Sequence, residues 1–384
     1  MLLNRKFWPI LALATVLLLM TGITLKPYHW NVTAIFHMDK VLEDANGLPP
    51  GFVVLSVPSY DGAQYYQVAR NLPKIFSPSR WAELREKAPG SYAYQRFLLP
   101  LLAGTLSFGH DSALPYLFLG INLISLILAC WVFLRWQSGK PLYALALCFS
   151  PAAMVALHFS LAEPLTILLI TLALVNYLEP GKFGPLDVLY LSLLVLAREV
   201  NILFIVYLLI FSAWRRNWRD ALFLLIPAFV FLGWHSVIYA IFHNVPFLIS
   251  TGARQIPGSA ALKLLFGLKG FNQLTLSAIV LFLGLVLPGF VWMGYEMCKR
   301  RSFDILSAGA FVFLGVMLTM PDYIWGSITS IGRVITPAYP LLLMYCSIRD
   351  TRPARFLAIM TLLIGIAASI GLALSVHPYM ISGK

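Results

Sequence analysis

Few residues in this chain can do chemistry, and they stand far apart. Asp61 sits in "SYDGAQYYQVARN" (59–71), followed by Gly62, Gln64, Tyr65, Tyr66 and Gln67. Arg96 opens "RFLLPLLAGTLSFG", and Glu163 lies in "HFSLAEPLTILL". Arg198, Glu199 and Asn201 interrupt the apolar run "LSLLVLAREVNILFIVYLLI", and Arg333 lies in "SIGRVITPAYP". A carboxylate can take the proton of a hydroxyl as that oxygen attacks an anomeric carbon. Arginine presents a fixed fork of donors to phosphate, and the pairing strengthens in a low dielectric. One acid and a phosphate clamp therefore suit transfer of a sugar away from a phosphate, with the basic groups stabilising the departing anion. A single acid fits inversion at the sugar, since retention ordinarily needs a second carboxylate as nucleophile.

Each residue also has a plainer reading. Asp-Gly is a common turn pair. An acid before proline, as at Glu163-Pro164, suits the first turn of a helix. Arg198 and Glu199 can neutralise one another inside a membrane, and Arg333 can anchor a span at the interface. Asn31-Val32-Thr33 matches the short acceptor pattern for glycosylation. His158 and His235 read as packing or interfacial residues, and Cys130, Cys148, Cys298 and Cys346 have neither metal-ligand nor disulfide spacing. Position in the membrane has to separate the two sets of readings.

The chain is 384 residues long, 59% hydrophobic and 11% charged, against roughly 25% charged in a soluble domain. Such a chain is built for lipid, where backbone polar groups must be satisfied inside helices. The net charge of +12 is distributed as short clusters between apolar runs, from Arg5-Lys6 to Arg349, Arg352 and Arg355. That is the pattern of positive-inside topology, not of a nucleic-acid surface. Residues 7–25 predict an uncleaved first helix with a cytoplasmic N-terminus, and 26–96 a long first outer loop. Residues 97–109 are too short to cross a core of about 30 Å and read as re-entrant or interfacial. Spans are expected near 113–134, 141–158, 159–178, 221–242, 274–297, 303–320, 334–348 and 356–376. Residues 186–213 predict two short helices that turn at the Arg198-Glu199-Asn201 triplet, and such breaks mark functional sites by default.

The expected fold is an all-α integral membrane bundle of about ten to twelve helices, residues 1–384 as one domain, with re-entrant or broken helices. No internal repeat is visible. On this map Asp61, Arg96, Glu163, the 198–201 break and Arg333 all face outside, together with Arg254, Lys263 and Lys269. Such a face suits a substrate that is both anionic and lipid-anchored, its prenyl chain among the spans and its phosphate against arginine.

The segments "YDGAQYYQVARN", "YAYQRFLLPLLAGTLSFG", "LAREVN" and "GRVITPAYPLLL" resemble bacterial multi-pass GT-C-type proteins linked to building cell-surface glycopolymers. A more distant similarity is to the GPI mannosyltransferase II family, with its acid in the first outer loop and its Arg-led short apolar helix. Departures are Ala63 where the run usually has Gln, and Pro164 after Glu163. Asp61 also stands alone where many relatives carry an acid pair, which disfavours a metal-dependent arrangement.

The resemblance, spread over 59–340, implies a GT-C-like bundle in the cell inner membrane with its active site on the periplasmic face. It also implies a polyprenyl-phosphate sugar donor and a glycan or lipid acceptor. Carried over, Asp61 is the catalytic carboxylate, and Arg96, Arg198 and Arg333 bind the donor phosphate. Gln64, Tyr65, Glu163, Glu199 and Asn201 are candidate sugar or acceptor contacts. No cofactor and no nucleic acid are expected, a divalent metal stays open, and a partner subunit is unspecified. The rival readings are a transporter or flippase of a lipid-linked glycan, needing the arginines without the acid, and a non-catalytic assembly subunit.

Overall fold

The computed structural model describes residues 2–87, 90–246, 273–301, 303–325 and 328–382. Arg254, Lys263 and Lys269, expected at the outer face, lie outside these residues. The described chain is an all-α membrane bundle. Six helical segments are long and apolar enough to cross a bilayer: Phe7–Tyr28, Asp111–Trp136, Pro141–Phe159, Trp218–Phe242, Leu276–Arg300 and Arg352–Leu374. Helices Ile328–Val334 and Ala338–Arg349 pass the same test of length and composition only as a pair, bent by 64°, the form of a broken span or a re-entrant loop.

Several expected spans are half-length helices instead. Glu163–Leu178 has 16 residues and Ile305–Met317 has 13, so at about 1.5 Å per residue neither crosses the core alone. The 186–213 region divides into Pro185–Ala197 and Ile202–Trp214, joined through a short turn at Glu199–Asn201.

The bundle is knitted by close backbone approach, the usual device where lipid removes any hydrophobic gain from helix contact. A Cβ on Gly365 would lie 1.6 Å from the Phe149 carbonyl oxygen. Helix Arg352–Leu374 therefore rests directly on the kink between Pro141–Cys148 and Pro151–Phe159. At the end where Pro141–Cys148 begins, Asp350 accepts from Lys140, from the Tyr143 hydroxyl at 2.7 Å and from Arg355 at 2.8 Å. Two basic side chains at that end, Lys140 and Arg355, thus share one acid.

The first loop folds into a layer over the opposite end. Met38–Asp39 pairs in parallel with Val53–Leu55, which pairs antiparallel with Tyr379–Ile381, in the register Val54 to Met380. This small sheet has no counterpart among the sequence expectations, since strands of two and three residues leave no alternating pattern to see. Phe36, Phe52 and Tyr66 pack with ring centroids 4.9–6.0 Å apart, and Phe36 meets Phe118 on span Asp111–Trp136 at 5.2 Å. That aromatic cluster seats helix Asp61–Arg70 on the bundle. Asn31 accepts from the Thr33 amide at 3.1 Å and hydroxyl at 2.8 Å, and donates to the Gly51 carbonyl at 2.7 Å. The Asn-Val-Thr pattern is occupied by a local cap.

Candidate active site

Asp61 is the first residue of helix Asp61–Arg70, following Tyr60 in an extended conformation. Asp39 fixes the approach by accepting from the Ser59 amide at 2.9 Å. The helix start then lies hard against the chain at Phe159. A Cβ on Gly62 would fall 2.0 Å from the Phe159 carbonyl oxygen, and the Tyr60 ring stacks on the Phe159 ring at 4.2 Å. Glycine at 62 is therefore a packing requirement here and not a turn signal.

Arg96 closes a short 3-10 turn just before helix Leu98–Leu106. The Phe97 amide donates to the Leu196 carbonyl at 2.9 Å, and Trp234 donates to the Tyr94 carbonyl at 2.9 Å while stacking on Phe97. These bonds hold Arg96 beside the break at 198–201. The break is one extended residue, Arg198 at φ −153° and ψ 139°. Asn201 ties the break to the helix before it by donating to the Leu194 carbonyl at 2.9 Å, which also accepts from the Arg198 amide at 3.4 Å; non-helical backbone inside a bundle is tolerated where protein surrounds it. Arg333 lies one residue from the end of Ile328–Val334, at the 64° bend. The Arg333 carbonyl at that bend accepts from the Thr336 amide at 3.1 Å and from the Thr336 hydroxyl, and from Arg198 at 3.0 Å.

The charged side chains link into one alternating chain. Glu199 accepts from Arg96 Nε and Nη2, both at 2.9 Å. Arg96 Nη1 donates to Asp61 Oδ2, and Arg333 Nη2 donates to the same oxygen at 3.0 Å. Arg333 Nε continues to Glu163 Oε1, which also takes Arg198 Nη1 at 2.8 Å. Two tyrosines complete the arginines' shells. Tyr92 accepts from Arg96 Nη2, and Tyr60 accepts from Arg333 Nη1 at 3.0 Å. Each ring also lies near its guanidinium, at 4.8 Å and 5.3 Å, within cation–π range.

This chain lines a cavity of about 400 Å³. Asp61, Arg96, Arg198, Glu199 and Arg333 contribute to its wall, with Tyr60 and Tyr92. So do the apolar Leu203, Phe313, Val316, Met320, Ile324 and Val334. The lining thus combines ionised groups with hydrocarbon, and apolar walls carrying a few placed polar groups are common to ligand sites. Burial works to raise the Asp61 carboxyl, but the guanidinium charges of Arg96 and Arg333, the Arg333 hydrogen bond and the more distant Arg198 outweigh it. Together they hold Asp61 well below the usual carboxylate range.

The structure brings Asp61, Arg96, Arg198, Glu199 and Arg333 to one cavity. The other candidates stand behind it or away from it. Glu163 is fully buried and braces two arginines from behind. Asn201, also fully buried, is committed to the helix break. Tyr65 follows Asp61 by one helical turn but points into the core, 1% exposed, and neither it nor Gln64 lines the cavity. Tyr60 and Tyr92 line it and are not among the sequence candidates. Both stand in motifs quoted above, Tyr60 directly before Asp61 and Tyr92 four residues before Arg96. Among the described residues no group of three or more His, Cys, Asp or Glu is arranged to hold a metal ion.

Among solved structures, the chain is similar to ArnT from Cupriavidus metallidurans in the apo state. Identity is 14%, the likeness covers 95% of this chain and 76% of that one, and the TM-score is 0.47. No protein-family profile matches the chain, and no curated protein matches it.

Proposed function

We propose that this chain is an inverting GT-C-type glycosyltransferase of the cell inner membrane. It moves a sugar, with a hexose such as mannose as first candidate, from a polyprenyl-phosphate donor to an envelope glycan or lipid acceptor at the periplasmic face. The observation that carries this reading is the mixed lining of one cavity: Asp61 between two arginines, together with aliphatic and aromatic side chains. A lipid-linked phosphate asks for both kinds of surface at once. The four motifs that resemble GT-C-type proteins contain Asp61, Arg96, Arg198, Glu199 and Arg333, the charged residues of that lining.

In the reaction an acceptor hydroxyl oxygen attacks the anomeric carbon on the side opposite the phosphate. The new C–O bond forms as the bond from that carbon to the phosphate oxygen breaks, its electron pair leaving with the phosphate. The hydroxyl proton passes to Asp61 and then to solvent. The departing lipid phosphate gains a negative charge, which Arg96 and Arg333 stabilise together with Arg198 in the same lining. Glu199 has both oxygens on Arg96, so it is poorly placed to serve as the second carboxylate of a retaining mechanism.

The test is transfer by the purified chain from a synthetic polyprenyl-phosphate sugar. Wild type transfers, and Asp61→Asn, nearly isosteric, does not while remaining in the membrane. Near-normal transfer by Asp61→Asn removes Asp61 from the role. A wild type that leaves the donor intact but moves it across a vesicle bilayer replaces the enzyme with a flippase.

A further inference from the structure

The six charged residues of the site are three arginines and three carboxylates, so the cluster carries no net charge. Every guanidinium is already in contact with an acid. An anion entering this site meets no uncommitted positive charge among them. Adding one beside a neutral, buried cluster is costly unless a carboxylate gives way.

The geometry selects which one. Glu163 is fully buried and touches two arginines, and Glu199, 9% exposed, holds Arg96 through two parallel bonds. Asp61 is the most exposed at 22%, lines the cavity, and engages both arginines through a single oxygen. Removing Asp61 leaves Arg96 anchored by Glu199 and Tyr92, and Arg333 anchored by Glu163 and Tyr60. Arg96 Nη1 and Arg333 Nη2 would then converge on an open position sized for one oxygen atom. Paired, charge-assisted N–H groups aimed at a single point suit a phosphate oxygen.

Building on the proposed function, we infer that the donor phosphate binds by exchange: it takes the place of Asp61 against Arg96 and Arg333, and the carboxylate it releases becomes the acceptor's proton acceptor. Asp61 in the empty site is a stand-in for the substrate's own anion. The exchange also explains how a carboxylate clamped by two arginines, and therefore weakly basic, can serve as a base at all. Losing those two contacts returns it toward ordinary basicity, and this occurs only with donor in place. Glu199, Glu163, Tyr60 and Tyr92 are positioning residues that keep the two arginines aimed while their partner changes.

The test is equilibrium binding of farnesyl methyl phosphate, a prenyl phosphodiester with one fixed negative charge, to the full chain in detergent micelles. Because Asp61 competes with the ligand in wild type, Asp61→Asn is expected to bind at least tenfold more tightly. A base that touched only the acceptor would leave affinity unchanged. Calorimetry of the wild type at pH 5 in buffers of different ionisation enthalpy gives a second reading that needs no variant. Released Asp61 takes up a fraction of a proton, whereas the ligand has no group titrating there. Equal or weaker binding by Asp61→Asn, or no proton uptake by the wild type, overturns the exchange while the glycosyltransferase reading stands. No binding by either protein overturns the phosphate reading and the exchange with it.

Discussion

Arg333 donates to Asp61 at 3.0 Å across 272 residues of sequence, from a bent helix pair to helix Asp61–Arg70 of the outer layer. The same guanidinium reaches Glu163 and Tyr60. Three directions at once need a planar fork, which a lysine ammonium on a flexible stem does not provide. Arg333→Lys is therefore expected to keep the charge and lose about 100-fold or more in kcat/KM. Transfer from a synthetic donor measures it, and activity within threefold of wild type would falsify the geometric role.

Gly62→Ala puts a methyl group 2.0 Å from the Phe159 carbonyl oxygen, and backbone on both sides leaves little to yield. The expected loss is about 1–3 kcal/mol in stability, with activity falling because Asp61 moves with the helix start. Gly120→Ala is the matched control. It lies in helix Leu114–Trp136 with nothing within 4 Å of the added carbon, so it should be neutral or slightly stabilising. Thermal unfolding of both variants in one detergent decides the matter; equal midpoints would count against the close approach.

Glu163→Gln removes a fully buried acid from between Arg198 and Arg333. Breaking such a pair on one side costs about 3–5 kcal/mol, because the partner charges stay behind. Removing Arg198 as well, in Glu163→Gln with Arg198→Met, should cost less than the two single changes summed. A strictly additive double mutant would mean that the two residues are not coupled.

The acid limb of stability follows from Asp61. Its folded carboxyl lies well below its unfolded value of about 3.9. The stabilisation is therefore fully present above that value and is lost as pH falls through the lower, folded one. The stability gap between wild type and Asp61→Asn should stay constant from pH 7 to about 4.5 and shrink only below about pH 4. A gap that closes between pH 7 and 5 would show that Asp61 is not held by the two arginines as described.

Much of this site is legible in the sequence. An arginine or an acid inside an apolar run must face protein or a cavity, whatever the fold, so Arg198, Glu199 and Arg333 announce themselves. Asp61 and Arg96 do so by their places in the long polar loop and at its end. What pairs with what is hidden. Arg96 and Glu199 are 103 residues apart and Arg333 and Glu163 are 170, and local spacing carries no information about contacts at that range. Adjacency suggests that Arg198 and Glu199 neutralise one another, whereas Arg198 pairs with Glu163 and Glu199 with Arg96. Tyr65 misleads for a related reason. A turn after Asp61 on a helix, it shares that residue's face, but the face turns from cavity to core within one turn.

The strand at Tyr379–Ile381 pairs with Val53–Leu55, only a few residues ahead of Asp61. The layer bearing Asp61 therefore cannot finish folding when its own residues leave the ribosome. It must wait for Arg333 and then for residues 379–381, after every described span has been made. Assembly of the ion-pair cluster thus follows the making of every described span, so a nascent chain already seated in lipid holds these charges apart until residues 379–381 have emerged.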